Sequence, residues 1–117
     1  LIASSVTFLA TANAARFCDA PVGFADVDPL TGNVTVETLE AAVNAATFDV
    51  KAIAVVHLGG RPCEITAIKD YADSVGVHLI EDACHAPMAQ YIRTAPVSNF
   101  MLDHVSTLMQ LLSVFTR

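Results

Sequence analysis

Residues 50–58, VKAIAVVHL, form a run in which apolar side chains do not alternate with polar ones. A strand that is apolar on both sides needs cover on both faces, and helices flanking a parallel sheet supply it. The neighbouring segments fit that demand. After a break at 59–62, GGRP, the residues Ile65, Ile68, Ala72 and Val75 recur at helical spacing, and Gly76 stands where a glycine ends a helix. Residues 77–82, VHLIED, read as the next strand. Upstream, Val36, Leu39, Val43 and Ala46 mark one face of a helix over 36–46, with Thr35 as its N-cap and Glu37 in its first turn. Residues 21–28 read as a strand, 28–35 as a turn punctuated by Pro29, Gly32 and Asn33, 8–18 as an alanine-rich helix, and 1–5 as the tail of a strand. Strands alternating with helices mean βαβ units and a parallel sheet, so the fold class is α/β. Ligands of such sheets bind at the carboxyl ends of the strands. Here those ends carry Asp26 and Asp28, His57, and Glu81 with Asp82.

Composition narrows the function. The chain has 117 residues, enough for one domain at most, with 54% hydrophobic and 15% charged residues. A domain this small cannot cover all of that apolar surface alone, which predicts a partner subunit or further chain. The net charge is −6, and the six Lys and Arg residues are scattered singly, so nucleic-acid binding is excluded as the main function. Three cysteines without a CxxC pair indicate a reduced, cytoplasmic setting, in which the sequon at Asn33 is irrelevant. The first fifteen residues mimic a signal peptide but lack a basic start, and their apolar run is too short to span a bilayer. The absent initiating Met leads us to expect a chain that starts mid-protein.

The crowded strand end 77–86, VHLIEDACHA, is where chemistry is expected. A metal site is disfavoured: on a strand His78 and Asp82 face one side and Glu81 the other, and no HExxH is present. His57 and Cys63 could join such a site only through folding. The turn 26–35 lacks the ligands of a calcium loop, and Gly59 and Gly60 are too few for a phosphate loop. Cys84 beside His85 is not a nucleophile pair by sequence adjacency alone. A buried carboxylate at Asp82 needs a partner. Two readings stay open on residue chemistry: it caps a following helix or pairs with an arginine, the commoner role, or it faces a cationic heterocycle nitrogen such as that of pyridoxal phosphate.

Several segments together carry a resemblance that bears on the choice. The stretches VTFLATANAARFCDAPVGFADVDPLTGNVTVETLEAAV and KAIAVVHLGGRPCEITAIKDYADSVGVHLIEDACHA resemble the DegT/DnrJ/EryC1/StrS family of pyridoxal-phosphate sugar aminotransferases. Four motifs fall in the family's order over residues 1–91. The resemblance implies part of the large domain of an aspartate-aminotransferase-like, fold type I enzyme. It implies that Asp82 pairs with the pyridine nitrogen, and that His85 lies near the phenolic oxygen. It implies that Phe8 stacks on the ring, and that Cys84 fills the small-residue position on the other face. The implied partners are a keto-sugar nucleotide, an amino-acid donor such as glutamate, and a second subunit.

The departures set further expectations. The family's Schiff-base lysine belongs to an S-F-x-x-x-K segment, and the corresponding stretch here, HVSTLMQLLSVFTR, holds no lysine. No catalytic residue is therefore assigned. Lys51 and Lys69 do not match the motif, Met88 replaces an expected glycine, and the early Gly-Thr turn lies before Leu1. Residues 92–117 read as a divergent or frame-shifted tail, with 105–115 fitting an amphipathic helix or another strand. The expectation is a fragment of a nucleotide-sugar aminotransferase, inactive by itself. The rivals are a non-catalytic α/β module, a sugar dehydratase of the same family, and a sugar-nucleotide enzyme without pyridoxal phosphate.

Overall fold

The computed structural model describes residues 1–87. The elements follow the expected order: β1 (Ile2–Ser4), α1 (Leu9–Phe17), β2 (Gly23–Ala25), α2 (Val36–Ala45), β3 (Ala52–Val56), a 3-10 turn (Leu58–Gly60), α3 (Ile65–Val75) and β4 (His78–Asp82). All neighbouring strands are parallel, in the order β2-β1-β3-β4. The Thr35 cap of α2 is present: its hydroxyl accepts from the Thr38 N–H at 3.4 Å, and the Thr38 hydroxyl accepts from the Thr35 N–H at 3.0 Å. Thr38 thus fills the role that Glu or Gln usually takes in a capping box. Gly76 ends α3 at φ 71°, a left-handed conformation that a Cβ would disfavour.

The strands are shorter than their apolar runs. Residues 21–28 contribute only the three residues Gly23–Ala25, because β2 pairs with β1 and β1 is itself three residues long. Residues 50–58 contribute Ala52–Val56, the length that β4 can match in register from Ala52–His78 to Val56–Asp82. Apolarity marks what is buried, whereas strand length follows the partner's hydrogen-bonding groups.

The two faces of the sheet are covered differently. On one, Ala14 and Ala15 of α1 pack on Leu1, Ala3, Ala52, Ala54 and Ile80. Side chains this small let α1 lie close to the strands. On the other, Leu39 of α2 and Ile68 of α3 pack on Ile2, Ala25, Ile53 and Val55. Each fully buried Leu or Ile there stabilises the fold by about 1.5–3 kcal/mol, so this layer supplies most of the apolar stabilisation. The chain crosses one face between β1 and β2, then the other face on its way to β3 and β4. The direction of winding reverses between β1 and β3, and the carboxyl ends of those strands form the crevice where such sheets take ligands.

The apolar surplus lies at the surface of the described residues: Phe8, Phe17 and Leu30 are 73%, 85% and 89% exposed. Among the described residues, no helix is long and apolar enough to cross a membrane. The expectations for Met88, for the tail 92–117 with its element at 105–115, and for the missing lysine lie outside the described residues.

Candidate cofactor-binding site

Pleating sorts the residues at the end of β4. Ile80 lies on the α1 face, so Asp82, two residues on, shares it, while Glu81 points to the α2/α3 side. Asp82 is only 6% exposed. Its Oδ1 accepts from the Cys84 N–H at 3.1 Å, and its Oδ2 accepts from the Thr11 hydroxyl at 3.5 Å. The first bond closes the turn after β4, where residue chemistry expected the cap of a following helix or an arginine partner; among the described residues neither a helix after β4 nor an arginine pair is present. The second joins β4 to the first turn of α1, where Thr11 is itself buried and shares a 3.3 Å hydroxyl contact with Thr7. Among the described residues the ion pairs join Lys51 to Asp49 and Lys69 to Asp73, His57 is hydrogen-bonded to Glu81, and none of these reaches Asp82.

Phe8 is the N-cap residue of α1, extended at φ −70° and ψ 138°, and its carbonyl accepts the Thr11 N–H at 3.1 Å. The turn that brings Thr11 to Asp82 thus presents an exposed aromatic ring at the same end of the sheet. His85 is exposed in the turn after β4, and its Nδ1 accepts the Gly59 N–H at 3.3 Å. Cys84 is exposed and belongs to no core cluster of the described residues. Its contact with the Asp82 carboxylate and partial burial raise its thiol above the ordinary value, which favours a neutral S–H over a thiolate.

A second group lies on the opposite face. His57 is 2% exposed, with Nε2 3.1 Å from Glu81 Oε2 and Nδ1 accepting the Cys63 N–H at 3.1 Å. Because Nδ1 accepts, the ring proton belongs on Nε2, where it is donated to Glu81. Burial, with the Glu81 charge adding, pushes the Cys63 thiol up to about 11, and Sγ donates to the Val56 carbonyl at 3.2 Å. Folding therefore brings His57 and Cys63 together, as a structural knot. Among the described residues, no group of three or more His, Cys, Asp or Glu is arranged to hold a metal ion.

Sequence reasoning singled out Asp82, His85, Phe8 and Cys84 but not Thr11 or the pairing of His57 with Glu81. Thr11 and Asp82 are 71 residues apart, and only the placement of α1 on the Asp82 face brings them together. Glu81 meets His57 because Val55 lies opposite Glu81 in the β3–β4 register.

Residues 1–100 match the model of the DegT/DnrJ/EryC1/StrS aminotransferase family. The chain belongs to this family. A dTDP-4-dehydro-2,3,6-trideoxy-D-glucose 4-aminotransferase of Saccharopolyspora spinosa is 39% identical over 95 residues, covering 81% of this chain and 24% of that protein. An aminotransferase from Psychrobacter cryohalolentis superposes with a TM-score of 0.70 at 37% identity, over 77% of this chain and 22% of that one. A GDP-4-keto-6-deoxymannose-3-dehydratase with a trapped PLP-glutamate geminal diamine superposes with a TM-score of 0.67 at 27% identity, over 81% of this chain and 24% of that one. The chain spans about a quarter of the length of the relatives it matches. The DegT/DnrJ/EryC1/StrS aminotransferases depend on pyridoxal phosphate, and the described residues have the parallel α/β architecture of the fold type I large domain.

Proposed function

We propose that this chain is part of the cofactor-binding large domain of a nucleotide-sugar aminotransferase, and that Asp82, Phe8, His85 and Cys84 line its pyridoxal-phosphate site. The observation that carries the reading is Asp82: a carboxylate 6% exposed at the end of β4, whose partners among the described residues are all neutral, the Cys84 amide and thiol and the distant Thr11 hydroxyl. An ionised carboxylate so placed calls for a cation, and no Lys or Arg among the described residues supplies one. A protonated pyridine nitrogen fits that demand. When bound, pyridoxal phosphate supplies an electron sink for transamination.

The chain's own residues would each do one thing. Asp82 holds a proton on the ring nitrogen, and Thr11 keeps the Oδ2 atom aimed by hydrogen bonding. Phe8 offers an exposed aromatic face that covers the ring and excludes water from it. His85 stands within the same turn as a donor to a cofactor oxygen. Cys84 takes the second ring face as a neutral thiol, compact and without a competing negative charge. The substrates we assign to the intact enzyme are a keto-sugar nucleotide and an amino-acid donor, glutamate foremost. The exposed apolar residues on α1, Leu9 and Phe17, support a homodimer or further chain packing against this piece. The 27% identity to a sugar 3-dehydratase favours a second reading, in which the same site serves sugar deoxygenation.

The test is a titration of pyridoxal phosphate into this chain and into Asp82→Asn, followed by cofactor absorbance. Binding by the parent chain and a loss of affinity of about tenfold to a hundredfold in the variant are expected, from the roughly 1.5–3 kcal/mol of a charge-assisted hydrogen bond. Equal affinity in the two proteins would remove Asp82 from the site.

A further inference from the structure

The loop between β3 and α3 is tied down at its neck and at its tip. At the neck, the His57 N–H donates to the Asp82 carbonyl at 3.1 Å, and the His57 ring accepts the Cys63 N–H at 3.1 Å. At the tip the ties come from a single distant side chain, Asn33. Its Oδ1 accepts the Leu58 N–H at 3.1 Å, and its Nδ2 donates to the Arg61 carbonyl at 2.9 Å. Asn33 is only 4% exposed, and the turn before α2 holds it in place: its carbonyl accepts the Asp28 N–H at 2.9 Å and its own N–H donates to the Thr31 hydroxyl at 3.2 Å. Gly32, at φ +73°, lets the turn come so close to the loop that a Cβ there would lie 2.7 Å from Leu58 Cδ2.

The far side of the loop meets His85. The Gly59 N–H donates to His85 Nδ1 at 3.3 Å, and a Cβ on Gly60 would lie 3.1 Å from the His85 carbonyl oxygen. An imidazole whose Nδ1 accepts a backbone N–H carries its proton on Nε2. A loose loop would leave His85 free to exchange tautomers. A loop clamped on both sides of Gly59, at Leu58 and Arg61, does not.

We propose that Asn33 is a positioning residue for His85: by clamping Leu58 and Arg61 it aims the Gly59 amide at His85 Nδ1, so that Nε2–H is presented as a fixed donor to an oxygen of the bound ligand. Asn33 touches no ligand in this scheme and acts only through the loop. The inference rests on the cofactor reading for the identity of that oxygen alone. The tautomer itself is a property of this chain.

Long-range proton–nitrogen spectra of the histidine rings in the labelled chain test it, at a pH well above the ordinary imidazole value of about 6.5. The parent chain should show His85 as the Nε2–H tautomer. Asn33→Ala should give an averaged His85 pattern and speed exchange of the Gly59 amide by about tenfold or more, while His57, held by Glu81 and Cys63, keeps its own pattern. Asn33→Asp keeps the acceptor for Leu58 and loses the donor to Arg61, so an intermediate response is expected. His85 found as Nδ1–H in the parent chain, or unchanged in both variants, would overturn the proposal. If Asn33→Ala does not fold, shown by loss of the His57 pattern, the parent spectrum and Asn33→Asp decide. Adding pyridoxal phosphate then separates the two readings: a fixed Nε2–H tautomer with no shift of Nε2 on titration refutes the cofactor site and upholds the role of Asn33.

Discussion

Replacing His57 with alanine should be among the most damaging single changes in the described residues. The ring is 2% exposed and joins three segments: the end of β3, which His57 directly follows, β4 through Glu81, and the approach to α3 through the Cys63 amide. Its removal leaves the Cys63 N–H buried without its acceptor, a loss of about 1–3 kcal/mol. The vacated volume adds the packing loss of a buried large-to-small change, about 2 kcal/mol at the low end. Together these give about 3–5 kcal/mol. That is a large share of the 5–15 kcal/mol total typical of whole domains. The hydrogen bond to Glu81 contributes little, because the Glu81 side chain is 37% exposed and water competes for it; Glu81→Gln should cost about 0–1 kcal/mol. Urea unfolding of the parent chain, His57→Ala and Glu81→Gln, with the slope held equal, measures both values. If Glu81→Gln costs as much as His57→Ala, the carboxylate rather than the Cys63 amide is what His57 serves. A His57→Ala loss below about 1 kcal/mol would refute the knot altogether.

The remaining expectations come from individual positions. The buried Cys63 thiol ionises at about 11 in the folded chain against 9.0 when free, so the folded state binds the proton more tightly. The stability it contributes is present below about 9 and declines as pH rises to about 11, and Cys63→Ala should flatten that slope in alkaline unfolding curves. Gly32→Ala and Gly76→Ala separate strain from crowding. Both sit at positive φ, but only the Gly32 Cβ meets a neighbour, at 2.7 Å. Gly76→Ala should cost about 1 kcal/mol in thermal or urea unfolding, and Gly32→Ala distinctly more. Lys51 and Lys69 are paired with Asp49 and Asp73, away from Asp82, so borohydride treatment with pyridoxal phosphate should leave no cofactor mass specifically on either lysine.

What the sequence made legible was periodicity, and what it hid was register. Spacing of Val36, Leu39 and Val43, or of Ile65, Ile68 and Ala72, locates α2 and α3 because a helix face must be apolar whatever it packs on. The end of β4 was legible for the same reason: a carboxylate that follows a buried strand at the ligand edge of a parallel sheet is conspicuous. Thr11 was not, because a threonine inside an alanine-rich helix looks like any other. Its meaning depends on α1 crossing on the face that Asp82 shares, which no local pattern encodes. The pairing of His57 with Glu81 depends on the β3–β4 register in the same way. A slip of one residue along β4 would set Asp82 in the place of Glu81, turn it toward the α2/α3 face and separate it from Thr11. The knot and the candidate site are therefore two readings of one alignment. The one register sets His57 against Glu81 on one face and leaves Asp82 pointing to the other, so a change at His57 that loosens the β3–β4 ends should disturb cofactor binding without touching any residue that lines the site.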